Sequence, residues 1–88
     1  MGRSRIREAL NRVLWDEAYD PSLVEVVYLH RDYQGRPGYR SVRADMIESV
    51  GSWYLSVRSE QGVHIIPFHR VIEIRDIKGR VLWRRDRA

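Results

Sequence analysis

Val24-Glu25-Val26-Val27-Tyr28-Leu29-His30-Arg31 is the stretch from which the rest of the chain is read. Residues 23–29 are rich in β-branched side chains, which fit a pleated surface, and they predict a strand. The apolar character is nearly continuous rather than alternating, which predicts a central strand covered on both faces. The run closes on a His-Arg dipeptide. Val63-His64-Ile65-Ile66-Pro67-Phe68-His69-Arg70 repeats that layout and closes on a second one. Arg offers a planar fork of N–H donors that matches two phosphate oxygens. His adds a donor whose charge changes near neutral pH. Two such pairs meeting at one end of a sheet would form a small anion pocket.

Working outward, Ser4 is a candidate N-cap, and Ile6, Leu10, Val13 and Leu14 recur behind it at helical spacing. Asp16 to Pro21 ends that helix, with Asp20-Pro21 as the turn signal. Residues 32–38 read as a loop and residues 39–42 as a short strand. Residues 44–50 fit a helical turn or an extended segment equally. Trp53, Leu55 and Val57 alternate onto one face of the next strand, and Trp53 and Phe68 are expected in the core. Ser59-Glu60-Gln61-Gly62 makes a hairpin turn, and residues 63–66 pair back. Pro67 interrupts the ladder because it has no N–H to donate. His64 alternates away from His69 and reads as a surface residue. A last hairpin turns around Ile77-Lys78-Gly79. The expectation is an α+β fold: an N-terminal helix packed on a curved, mainly antiparallel sheet of about five or six strands, curling toward a barrel.

Composition bounds the function. The 88 residues predict a single domain spanning 1–88, with an ordered core from about residue 4 to 85. No apolar run approaches the ~20 residues that span a membrane, and no apolar signal segment follows Met1-Gly2-Arg3. A soluble, cytoplasmic protein is therefore expected. With no cysteine there is no disulfide framework and no thiolate zinc site. No metal or cofactor is expected. The net charge is +4, and Lys78 is the single lysine among 16 basic residues. Arginine enrichment of this kind suits a nucleic-acid partner, and also follows from genome composition or a hot-living source.

The segment from Arg31 to Arg40 interleaves Arg with Tyr. Tyr33, Arg36, Tyr39 and Arg40 could therefore contact single-stranded RNA through charge and stacking; a solvated hairpin loop has the same composition. Arg12 and Trp15 near the helix end, and Trp83 in the last strand, are further candidate RNA contacts beside possible packing roles.

Four segments occur in order: Leu10-Asn11-Arg12 with Trp15-Asp16, Tyr28-Leu29-His30-Arg31, Ile66-Pro67-Phe68-His69-Arg70-Val71, and Val81-Leu82-Trp83-Arg84. The series resembles the RNA cyclic-group-end recognition domain family, a small and mainly archaeal group. The resemblance covers nearly the whole chain, and the Ile-Pro-Phe-His-Arg segment is its most specific element. It implies binding of RNA 3′ ends that carry a 2′,3′-cyclic phosphate or a related cyclic group, in RNA processing or repair. It also implies His30, Arg31, His69 and Arg70 as contacts to the phosphate end. Asp32 stands where family members often have Gly.

Three functional classes remain open on the residues. Two histidines can serve as general base and general acid on a phosphodiester without metal. His30-Arg31-Asp32 and His69-Arg70-Val71 lack the hydroxyl found at the third place of the His-x-Ser/Thr design for that chemistry, and no activated nucleophile is evident. A binding module is therefore favoured over an enzyme. The third class is a protein-interaction module that docks on an RNA-processing enzyme.

Overall fold

The computed structural model describes residues 5–85. The Ser4 cap lies outside them. Helix α1 (Arg5–Trp15) buries Ile6, Leu10 and Val13, which the 3.6-residue period brings to one stripe. A 3-10 turn (Pro21–Leu23), with the Asp20 carboxylate accepting from Ser22 N–H, leads into β1 (Val24–Arg31). There follow β2 (Pro37–Arg43), a 3-10 turn (Ala44–Met46), β3 (Ile47–Val50), β4 (Tyr54–Ser59) and β5 (Gly62–Pro67). A third 3-10 turn (Phe68–Arg70), β6 (Val71–Asp76) and β7 (Val81–Arg84) complete the order.

Among the described residues seven strands form two antiparallel sheets, not one of five or six. One sheet runs β2-β1-β6-β7; the other is the meander β3-β4-β5. These described strands do not close into a barrel. The chain crosses from the first sheet to the second through the turn Ala44–Met46 and returns through Phe68–Arg70. Each crossing is pinned by its first residue, since Ala44 and Phe68 are both buried. The ambiguous segment 44–50 thus divides into a crossing turn and a strand. Alternation along the strands could not reveal this split, because inward-facing residues look alike in a barrel and in two facing sheets. What separates the sheets is where ladder hydrogen bonding stops, and Pro67 marks one of those places.

The inner faces meet in one core of Val24, Val26, Leu55, Val57, Ile66, Val71 and Ile74, to which α1 adds its stripe. The helix contacts β3, β7 and the crossing turn Ala44–Met46, so it spans both sheets. Strand β1 is central as expected, but only Val24 and Val26 are fully buried; the rest of the strand is half-buried or exposed. Trp53 departs from expectation: it is 59% exposed. Strand β4 begins one residue later, so Trp53 belongs to the preceding turn and the alternation does not reach it. Its ring packs edge-on against Tyr54, and its carbonyl accepts from Phe68 N–H. Phe68 is core, as expected.

Both hairpins of the four-stranded sheet close with the same sequence pattern. Asp32-Tyr33-Gln34-Gly35-Arg36 and Asp76-Ile77-Lys78-Gly79-Arg80 each place an Asp carboxylate on the backbone N–H groups two and four residues later. Each has a left-handed glycine, Gly35 at φ 82° and Gly79 at φ 92°, which a Cβ would strain.

Leu10 lies at the centre of the helix stripe and is fully buried. Leu10→Ala is expected to cost about 2–5 kcal/mol in urea unfolding. A loss under about 0.5 kcal/mol would mean that the helix does not anchor the core.

Candidate functional site

Successive side chains of a strand point to opposite faces. Val24 and Val26 face the core, so Tyr28 and His30 continue the same inner face, and Arg31 falls on the other side. Tyr28 pairs with Arg40 across the β1–β2 ladder, and Val26 with Val42, which puts Arg40 and Val42 on that face too. In the second sheet the two-residue loop Glu60-Gln61 closes on the pair Ser59 and Gly62. The pairing then sets Val57 opposite His64 and Leu55 opposite Ile66. His64 therefore shares the face of the buried Ile66.

Past the last core residues the two inner faces part and leave an open groove of about 920 Å³. Its walls come from β1 and β2 on one side and β4 and β5 on the other. Met46 and Arg70 enter it from the two crossing turns. The polar lining includes His30, Arg40, Arg70 and His64, with Glu60 and Gln61 at the hairpin loop. His64 Nε2 lies 3.1 Å from Ser59 Oγ.

The arginines of the chain divide by partner. Arg36, Arg43, Arg58, Arg75, Arg80 and Arg84 each form an ion pair with a carboxylate. Glu25, Glu73, Arg75 and Arg84 make a linked set across β1, β6 and β7 on the face away from the groove. Among the described residues, Arg40 and Arg70 have no carboxylate partner, and neither do Arg31 and Arg85, which bond backbone carbonyls. Arg40 and Arg70 line the groove together with His30 and Glu60. Among the described residues no three His, Cys, Asp or Glu side chains gather as a metal site would require.

Of the residues expected from sequence to bind a phosphate end, His30 and Arg70 share the groove, and Arg31 and His69 do not line it. Arg31 instead donates from Nη1 to Gly35 O at 3.1 Å, and His69 is exposed on the crossing turn. Of the candidate RNA contacts, Arg40 lines the groove. Tyr33 and Arg36 lie in the β1–β2 loop, where Arg36 is held by Asp32. Tyr39 pairs with Leu29 on the outer face and is exposed. Arg12 and the 80%-exposed Trp15 share a shallow surface on α1 with Glu8, Asn11 and Asp16. Trp83 packs against the core and carries the Arg85 guanidinium 5.4 Å from its ring centre. His64 and Tyr28 were not expected as lining residues. The signal for His64 was the hairpin register, which a turn one residue longer would have reversed.

Arg85 holds the turn that delivers Arg70. Its backbone N–H donates to Ile72 O, its Nε to Val71 O at 2.9 Å, and its Nη2 to Phe68 O at 2.5 Å. Ile72 is the residue skipped where the β1–β6 pairing shifts register. One residue thus ties together the crossing turn, the bulge and Trp83.

A family model described as the MJ1316 RNA cyclic group end recognition domain matches residues 4–85. The chain belongs to this family. Its relatives include a UPF0248 protein of Aeropyrum pernix, 34% identical and covering 97% of this chain and 84% of the relative. Another family relative, UPF0248 protein MJ1316 of Methanocaldococcus jannaschii, is 30% identical, with 97% and 99% covered. A UPF0248 protein of Methanococcus vannielii is 30% identical, with 91% and 90% covered. No solved structure matches the chain significantly. No helix among the described residues is long and apolar enough to cross a membrane.

Two consequences can be measured. Arg85→Ala should cost about 1.5–3 kcal/mol in urea unfolding, the range for hydrogen bonds to a charged group. Arg85→Lys should restore only part of that, because an ammonium cannot span both carbonyls. An Arg85→Ala variant as stable as the parent would remove the brace from the account. The second concerns Asp32, whose carboxyl is held below the ordinary carboxylate range, first by the Arg36 backbone N–H and also by Gln34 N–H, the Arg36 side chain and nearby His30. A depressed folded value makes the loop's gain complete above the unfolded value of about 3.9, and the gain is lost as pH falls through the lower folded value. An NMR titration of the Arg36 amide should show its midpoint below about 3.9. A midpoint at or above that figure would mean that the carboxylate does not organise the loop.

Proposed function

We propose that this protein binds RNA 3′ ends carrying a 2′,3′-cyclic phosphate or a related cyclic group, and that the groove between its sheets receives the phosphate. The observation carrying this reading is that Arg40 and Arg70, the two groove arginines without a carboxylate, converge with His30 on one cleft. The family description, RNA cyclic group end recognition, supports the class of ligand. A cyclic phosphodiester bears one negative charge on two non-bridging oxygens. Two guanidinium forks and an imidazole donor satisfy both oxygens with charge-assisted hydrogen bonds. The remaining positive charge can meet the preceding backbone phosphate. In this reading the protein marks cyclic ends for RNA processing or repair and leaves them intact.

The test uses short fluorescent RNAs that differ only at the 3′ end: cyclic phosphate, open phosphate or hydroxyl. The cyclic end should bind most tightly, binding should weaken with added salt, and the end should be recovered uncleaved. His30→Ala and Arg70→Ala should each lose about tenfold or more in affinity with an unchanged circular dichroism spectrum. Arg31→Ala and His69→Ala should lose less. Equal binding of all three ends would overturn end recognition, and turnover of the cyclic end would make the protein a phosphoesterase.

A further inference from the structure

The groove is larger than a phosphate and only partly polar. Its volume of about 920 Å³ is in the upper part of the range of small-molecule sites, roughly 300–1,000 Å³. Beside the cations it is lined by Tyr28, Val42, Met46, Val57, Ile66 and Pro67. Tyr28 and Met46 are only half-buried, so apolar surface that could have been packed is left facing the cleft. Leaving such surface wet forgoes hydrophobic stabilisation, which a ligand with an apolar face would recover.

Tyr28 has a particular place in this cleft. It stands directly opposite Arg40 in the β1–β2 ladder, at a separation of about 5 Å between Cβ atoms. It is two residues from His30 on the same face, about 7 Å along the strand. The aromatic ring is therefore flanked by two of the anion-binding side chains, within the span of one nucleotide. The thioether of Met46 adds a polarisable, adaptable surface of the kind that packs against aromatic rings. By contrast, the prominent exposed aromatics, Trp15, Tyr33 and Tyr39, lie outside the groove.

We infer that the groove takes the whole terminal nucleotide, with its base against Tyr28 and Met46 while the cyclic phosphate lies on Arg40, His30 and Arg70. This rests on the proposed reading of the groove as a cyclic-end site. It adds that the ligand is a nucleoside cyclic phosphate and that Tyr28 is a binding residue. A base has two flat apolar faces whatever its identity, so the contact is tolerant of sequence.

The probes are adenosine 2′,3′-cyclic phosphate and 1-O-methylribose 2,3-cyclic phosphate, which keeps the sugar and the cyclic phosphate but has no base. Both are titrated into the full chain by NMR and also used to displace a fluorescent RNA with a cyclic end. The adenosine compound should bind about tenfold more tightly, as expected for one stacked base. Tyr28→Leu should abolish that advantage without changing the affinity of the methyl riboside, and Tyr28→Phe should keep it. The comparison of the two probes on the unaltered chain needs no variant, and Met46→Ala gives a second reduction if Tyr28→Leu does not fold. Equal affinities for the two probes, or failure of both to bind while cyclic-ended RNA binds, would overturn the base site and leave end recognition standing. Failure of cyclic-ended RNA itself to bind preferentially would remove both.

Discussion

Strand β1 sends every second side chain into the space between the sheets, and the rest of the molecule is arranged around that constraint. Val24 and Val26 meet Ile74 and the second sheet and are sealed. Tyr28 and His30 continue the same row into the groove. Core and cleft are therefore two lengths of one surface, and the change from apolar to polar along β1 sets where packing ends. On the opposite sheet β4 and β5 show the same change, from Leu55 and Ile66 to Val57 and His64 and then to Ser59. A groove built this way is held by the ladders that hold the fold. Most of its side chains stand on paired strands, and Arg70 on a turn braced by Arg85, so ligand binding requires little ordering of backbone.

The electrostatics follow from which face each arginine occupies. A net charge of +4 on 88 residues is modest. On the outer face and in the hairpin loops Glu25, Glu73, Asp32 and Asp76 engage Arg75, Arg84, Arg36 and Arg80, while Glu60 lines the groove. Exposed pairs of this kind contribute little to stability. Their larger consequence is where positive charge remains. Arg40 and Arg70 keep theirs at the cleft, where the low-dielectric walls of a groove concentrate the field. Arginine enrichment alone did not distinguish a nucleic-acid surface from a compositional habit; two groove arginines without a carboxylate partner support the first.

Helix α1, the central place of β1, the hairpin at Glu60-Gln61 and the end of β5 at Pro67 were all legible in the sequence, because each rests on local rules of period, turn chemistry or a missing N–H. The division into two sheets was not, because it depends on which strands bond across the crossing turns. Trp53 shows how a one-residue shift of a strand start defeats an alternation argument. His64 shows the same sensitivity at the other end of the hairpin. It is exposed, and only its pairing with Val57 discloses that it faces the cleft. The matched loops at Asp32 and Asp76 lay in plain view as Asp-x-x-Gly-Arg, but their meaning needs the hydrogen bonds from the glycine turn to the carboxylate.

The two His-Arg dipeptides illustrate why adjacency in sequence misleads about a site. Each gives one residue to the groove, the histidine from the first and the arginine from the second. In β1 neighbouring side chains point to opposite faces, so His30 and Arg31 cannot both face inward; Arg31 is turned to Gly35 O, where it ties down the β1–β2 loop. In the turn Phe68–Arg70 the chain winds about three residues per turn, so successive side chains again diverge. Phe68 takes the inward direction toward the core, and Arg70 is swung to the cleft while His69 faces solvent. The repeated dipeptide thus has two different local geometries and one common outcome: a single donor delivered to the same cleft from each sheet crossing or strand end. Arg85 makes the second delivery firm by closing on the carbonyls of Phe68 and Val71, a bond pattern with no counterpart at the first pair, where the β1–β2 ladder already fixes the backbone.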